Sequence, residues 1–193
     1  ELADGYDEMD IWQAQMTFIK FYDQVFGADR LSVVAEVGAT YVPDLPDLDE
    51  ARYGRSGVFG ISNNDGVYPG APSEDTNYCK VGGSSANVNT EYCTDEGFVT
   101  QLSGGVRLRA SMDYNNAFSG INVSPNFAVS YDKGNGPEPG AQFIDERLTT
   151  AVGVKFVYQN RTQVSMNYTQ FDGGEYNTTK DRDNIALSAS YSF

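Results

Sequence analysis

The sequence predicts an all-β protein, an antiparallel transmembrane β-barrel whose seven strands here form the C-terminal part of a larger, even-numbered barrel. Three observations predict it. Apolar and polar residues alternate over stretches such as 98–113, far longer than the roughly five or six residues usual for a soluble strand. Short and long connections take turns along the chain, as they do in outer-membrane barrels. The chain also ends on an alternating segment, 184–193, that carries Tyr191 and Phe193.

The strands follow in order. Residues 11–22 form the first and least regular one, because Ile19 and Phe21 fall on its polar face and Lys20 on its apolar face. In 30–42, Leu31, Val33, Ala35, Val37, Ala39 and Tyr41 oppose Ser32, Glu36, Gly38 and Thr40. In 98–113, Leu102, Val106, Leu108 and Met112 oppose Ser103, Arg107, Arg109 and Asp113. The period of two recurs in 119–131, 144–158, 162–170 and 184–193. Such strands need about 9–11 residues to cross the hydrocarbon layer when tilted.

Segments 23–28, 115–117 and residue 160 read as short turns. Segments 43–97, 133–142 and 171–183 read as long, acidic loops rich in Gly, Asp and Asn. Barrels of this kind keep short turns periplasmic and long loops extracellular. The last strand then descends to the periplasm and delivers Phe193 there, as a terminal signal for the barrel-assembly machinery. Seven strands traced back from that point place residue 1 outside the cell. Bacterial barrels have even strand numbers, so further strands are expected ahead of it. The alternative is an eighth strand supplied within the chain by 55–62 (RSGVFGIS).

Composition limits the function. The 193 residues carry a formal net charge of −14 and no His. No run of about 18 apolar residues exists to form a membrane helix. A mean hydropathy of −0.44 says nothing against a barrel, whose alternating strands average out as polar. So acidic a chain is not expected to bind nucleic acid. Without His it lacks the usual general base of membrane-embedded hydrolases, so no enzyme, metal or cofactor is expected. Asp44, Asp47, Asp49 and Glu50 read as a solvated acidic loop with no calcium-site spacing. Cys79 and Cys93 lie in a Gly/Ser/Asn-rich segment, where a disulfide formed in an oxidising compartment is expected. In the chain-entropy picture it stabilises its short loop by about 3 kcal/mol.

The polar strand faces carry Arg30, Arg107, Arg109, Arg147, Lys155 and Arg161 against Glu36, Asp113 and Asp145, a net basic wall beneath acidic loops. Of these, Glu36, Arg107, Arg109, Asp113, Asp145, Arg147, Lys155 and Arg161 are the candidate pore-lining residues. Strands 30–42 and 98–113 should be neighbours. With roughly 3.3 Å per residue and a tilt near 40°, Glu36 falls level with Arg107 and Arg109, so these charges either pair across the wall or select solutes. Tyr41, Tyr131, Phe143, Tyr158, Tyr168, Tyr191 and Phe193 read as interfacial girdles against outer-membrane lipid and lipopolysaccharide.

The runs EVGATYVPDLPD, RYGRSGVFG, EYCTDEGFVTQLSGGVRLRASMDYNNAFSGINVSPNFAVSYD and YNTTKDRDNIALSASYSF add a resemblance. The chain resembles the C-terminal part of the large proteobacterial outer-membrane proteins catalogued as a domain of unknown function. Genes for such proteins often neighbour a lipoprotein-sorting-like periplasmic protein and a resistance-nodulation-division permease. The resemblance implies an outer-membrane location, with a periplasmic lipid carrier and an inner-membrane permease as partners. It supplies no catalytic residues. The function expected is a pore or conduit for anionic or hydrophobic, lipid-like small molecules. The alternative is a structural or surface-interaction barrel whose loop 43–97 binds a partner.

Overall fold

A computed structural model describes residues 7–60, 62, 79, 90–137 and 142–193. Its strands are β1 (Trp12–Val25), β2 (Ala28–Tyr41), β3 (Leu102–Phe118), β4 (Ile121–Lys133), β5 (Leu148–Tyr158), β6 (Thr162–Asp172) and β7 (Asn184–Tyr191). Each pairs antiparallel with the next, giving one seven-stranded sheet in chain order. The two edges, β1 and β7, do not pair with each other, so the sheet is open among the described residues.

Alternation in sequence becomes two chemically distinct faces because the register holds across strands. Row by row, Met16 lies opposite Val37, Val37 opposite Val106, Val106 opposite Tyr131, and Tyr131 opposite Leu148. The neighbouring row on the other face runs Thr17, Glu36, Arg107, Ser130, Thr149. Directly opposed residues share a face, so one face is predominantly apolar, with Lys20 among its exceptions, and the other is mostly hydroxyl, amide and charge. The apolar face is uncovered: Trp12 is 69 % exposed, Leu102 64 % and Leu187 74 %.

Two of the three short connections are tight hairpins. Phe26 and Gly27 have φ of 53° and 73°, and Ser119 and Gly120 have φ of 50° and 77°. Left-handed central residues match the twist of the flanking strands. The second hairpin corrects the expected turn at 115–117. There β3 continues to Phe118 through an irregularity between Tyr114 and Phe118, and Asn115 and Asn116 lie inside it. Strands β3 and β5 start at Leu102 and Leu148, later than the expected 98 and 144, because the intervening residues bond to other loops. Thr100, for example, donates its N–H to the Asn135 carbonyl at 3.0 Å. Among the described residues the alternative eighth strand at 55–62 is not formed, since Gly57–Phe59 makes a short 3₁₀ turn.

Apart from Ala28 at the β1–β2 hairpin, the buried residues among those described lie in the long connections or where these meet the sheet. Thr40, Ser103 and Asp132, all at the loop end of the polar face, are at most 2 % exposed, as are Val42 and Phe143. The connections thus close over the end of the polar face.

Candidate functional site: an ion cluster on the polar face

Asp132 sits near the end of β4, directly across from Gly105. Its carboxylate is 1 % exposed and accepts from two guanidiniums. Arg147 reaches Oδ2 through Nη2 at 2.6 Å and Nε at 2.8 Å, and Arg107 Nη2 lies 3.4 Å from Oδ1. Two-point contact from Arg147 makes that bond the stronger of the two. A second Arg147 bond, from Nη2 to the Gln142 carbonyl at 2.7 Å, ties the β4–β5 connection to the same group.

That connection turns inward and sets Phe143 against the polar face. The Phe143 ring lies 3.5 Å from where a Gly38 Cβ would stand and 3.3 Å from a Gly105 Cβ. Two glycines on adjacent strands therefore make its seat. Arg107 stacks over the ring at 5.6 Å. Beside it is a cavity of about 260 Å³, lined by Gln13, Gln15, Glu36, Thr40, Arg107 and Phe143.

This arrangement redistributes the expected site residues. Glu36 and Arg107 are register partners, as expected of neighbouring strands, but the Arg107 guanidinium bonds Asp132. Arg109 lies opposite Val34 and Ala128. Asp113 accepts a bond from Ser124 Oγ at 2.8 Å, and Lys155 stands between Ser124 and Ser165. Asp145 and Arg161 are not on a strand wall. Asp145 precedes β5, accepts the Gly134 N–H at 2.8 Å and pairs with Lys133 at 3.1 Å. Arg161 lies exposed in the β5–β6 turn. Phe143 likewise leaves the girdle for the polar face, where two glycines leave room for a ring.

Asp132 lies outside the expected set: it follows Tyr131, the expected end of its strand, yet shares the polar parity of Ser130. Including it with Asp23 changes the expected net basic wall. Arg30, Arg107, Arg109 and Lys155, with Arg147 reaching Asp132 from just before β5, now face Asp23, Glu36, Asp113 and Asp132, a nearly balanced set. Arg30 and Asp23 pair at 3.4 Å in an exposed position.

Above the sheet the described part of the β2–β3 connection is built around Arg55. Its guanidinium donates to the carbonyls of Phe59, Tyr92 and Thr94 and stacks on Tyr176 at 4.7 Å. Burial holds Arg55 below the usual arginine range. Phe59 meets Tyr92 and Tyr176 edge-on at 5.1 Å each. Tyr176 comes from the β6–β7 connection, so two loops share this centre. The expected disulfide joins Cys79 to Cys93 with Cα atoms 5.7 Å apart. Most of 61–89, which includes much of the expected loop 43–97, lies outside the described residues. Among the described residues no group of three or more His, Cys, Asp or Glu side chains is placed to hold a metal.

An antiparallel up-and-down sheet with one uncovered apolar face, one charged face and a loop-covered end is consistent with a membrane- or surface-associated protein. Residues 1–193 match the family described as protein of unknown function DUF1302, and the chain belongs to it. Comparison with curated proteins gave no match, nor did comparison with solved structures.

Proposed function

We propose that this chain forms part of an outer-membrane β-barrel that serves as a conduit for anionic or hydrophobic small molecules. The observation that carries the reading is the uncovered apolar face. Phe18, Val37, Val106, Val152, Met166 and Leu187 are each between 48 % and 74 % exposed on one continuous side of the sheet. A soluble protein rarely leaves so large an apolar patch bare, and lipid is the solvent that suits it. Aromatic residues mark both ends of that face. Trp12, Tyr41 and Tyr131 stand toward the loops, and Tyr22, Tyr158 and Tyr191 toward the turns, as interfacial belts do.

Open sheet edges are not viable in lipid. On this reading the free edges of β1 and β7 pair with further strands, closing a larger, even-numbered barrel. The polar face then lines the lumen, and Phe143 with Arg107, Asp132 and Arg147 narrows it at the extracellular end. Phe193 presents the terminal strand to the assembly machinery, and a periplasmic lipid carrier and inner-membrane permease hand solutes on. The test is planar-bilayer conductance of the full-length protein, with heat-modifiable gel migration as the folding check. Stable channels altered by Arg107→Ala or Arg109→Ala are expected. Absence of conductance from folded protein would overturn the pore.

A second reading has its own support. Arg55, its carbonyl cage and the Cys79–Cys93 disulfide brace the extracellular cap. Such bracing suits a rigid surface that binds a partner. Retained surface binding in a non-conducting protein would favour it.

A further inference from the structure

The polar face carries an exposed apolar row with a cation in it. Ile19, Val34, Arg109, Ala128 and Ala151 form a single row across β1 to β5, and Phe21 stands next to Ile19 on the same face. Ile19 is 60 % exposed and Phe21 57 %, on a face made mostly of hydroxyl, amide and charged groups. Arg109 is also exposed. Among the described residues its guanidinium makes no hydrogen bond or ion pair. The nearest carboxylates on this face are Glu36, diagonal to it and level with Arg107, and Asp113, which accepts from Ser124.

The contrast with Lys155 is informative. Lys155 stands between serines, a setting for a small hydrated ion. Arg109 stands between Val34 and Ala128, where a small anion would lose water without gaining polar neighbours.

We propose that this row is a binding site for an amphipathic anion with one carboxylate head and a long apolar chain. The head lies on the Arg109 fork, whose geometry suits a carboxylate. The chain lies along Ile19, Phe21 and the half-buried Val34, and removes the exposed surface of the first two from water. The site rests on the reading of this face as a lumen wall.

The test uses the full-length protein in a nonionic detergent with a diazirine-bearing long-chain carboxylate as probe. After photolysis, adducts are mapped residue by residue. Saturable labelling at Ile19, Phe21 or Val34, competed by oleate, is the expected result. Labelling at Phe18 or Tyr22 on the lipid-facing side should not saturate. Arg109→Ala should lower the saturable labelling about tenfold, the size of one charge-assisted contact, and Arg109→Lys should restore part of it. The methyl ester of the probe should not respond to Arg109→Ala. Saturable labelling unchanged by Arg109→Ala would overturn the site, as would its absence from protein that conducts in a planar bilayer. Folded protein that neither conducts nor labels would overturn the lumen reading and the site with it.

Discussion

Asp132 concentrates the electrostatics of the polar face, because one nearly inaccessible carboxylate answers two guanidiniums. Removing one partner of such a group leaves the others desolvated and uncompensated, and the cost falls on folding more than on any single contact. Asp132→Ala is therefore expected to destabilise by about 3 kcal/mol or more, read as a lower denaturation midpoint in detergent. Gly105 offers a second probe of the same cluster. A Cβ there would stand 2.9 Å from the Tyr131 carbonyl oxygen, 3.3 Å from the Phe143 ring and closer still to Asp132 Oδ1. Gly105→Ala is expected to unseat Phe143 and lower the midpoint by about 1–3 kcal/mol equivalent, the usual cost of overpacking. An unchanged midpoint would show that the ring relocates freely. Part of this cluster was legible in sequence. Arg107 and Arg147 announce themselves by parity, and Asp132 obeys the same parity one step past the expected strand end. Phe143 was not legible, because an aromatic beside a strand looks alike whether it turns to lipid or to the lumen. Only the distant pair Gly38 and Gly105 decides between them.

All seven strands were readable because alternation is a local signal that an extended chain expresses directly in its two faces. The boundaries moved where a non-local partner intervened. Asn115 and Asn116 look like turn residues, yet they are absorbed in the irregular end of β3, and Ser119 and Gly120 make the hairpin. The Arg55 cage was not readable at all, since its members come from two connections separated by four strands. At this scale the disulfide has a definite consequence. Cys79 and Cys93 close a loop with a sequence separation of 14, and replacing both with Ser should cost the cap about 3 kcal/mol in the chain-entropy account. Limited proteolysis should then cut the β2–β3 connection sooner while the strands stay protected. Lys20 is the one charge in the middle of an apolar row, opposite Val33, and its ammonium lies 5.8 Å from the Tyr22 ring. A lysine facing lipid costs up to about 2–4 kcal/mol at mid-depth and less as it nears the interface. Lys20→Leu should accordingly raise the unfolding midpoint in bilayers, and no rise would place β1 against protein instead of lipid.

Over the whole molecule the charge is divided by position. The chain carries −14 overall, while the polar face holds Arg30, Arg107, Arg109, Arg147 and Lys155 against four carboxylates. The acidic excess therefore stands mainly in the connections. Asp47, Asp95, Glu96, Asp145, Glu146 and Glu175 line a single groove of about 630 Å³ at the loop end. In the proposed barrel an ion would meet a negative vestibule first and a nearly balanced wall next. Pairing leaves little of the wall's charge to act on a solute. Asp132 compensates part of Arg107 and Arg147, and Asp23 answers Arg30, so on this face Arg109 and Lys155 are the cations that no described carboxylate pairs. These two should dominate this wall's contribution to selectivity, since fields in a narrow low-dielectric channel act strongly on passing ions. Arg109→Glu with Lys155→Glu reverses both charges and leaves the ion cluster untouched. The reversal potential of the full-length protein in a potassium chloride gradient should shift toward cation preference, and the shift should shrink as salt rises and screening shortens. A reversal potential that stays fixed at low salt would mean that ions pass elsewhere and that the polar face of this sheet is not their path.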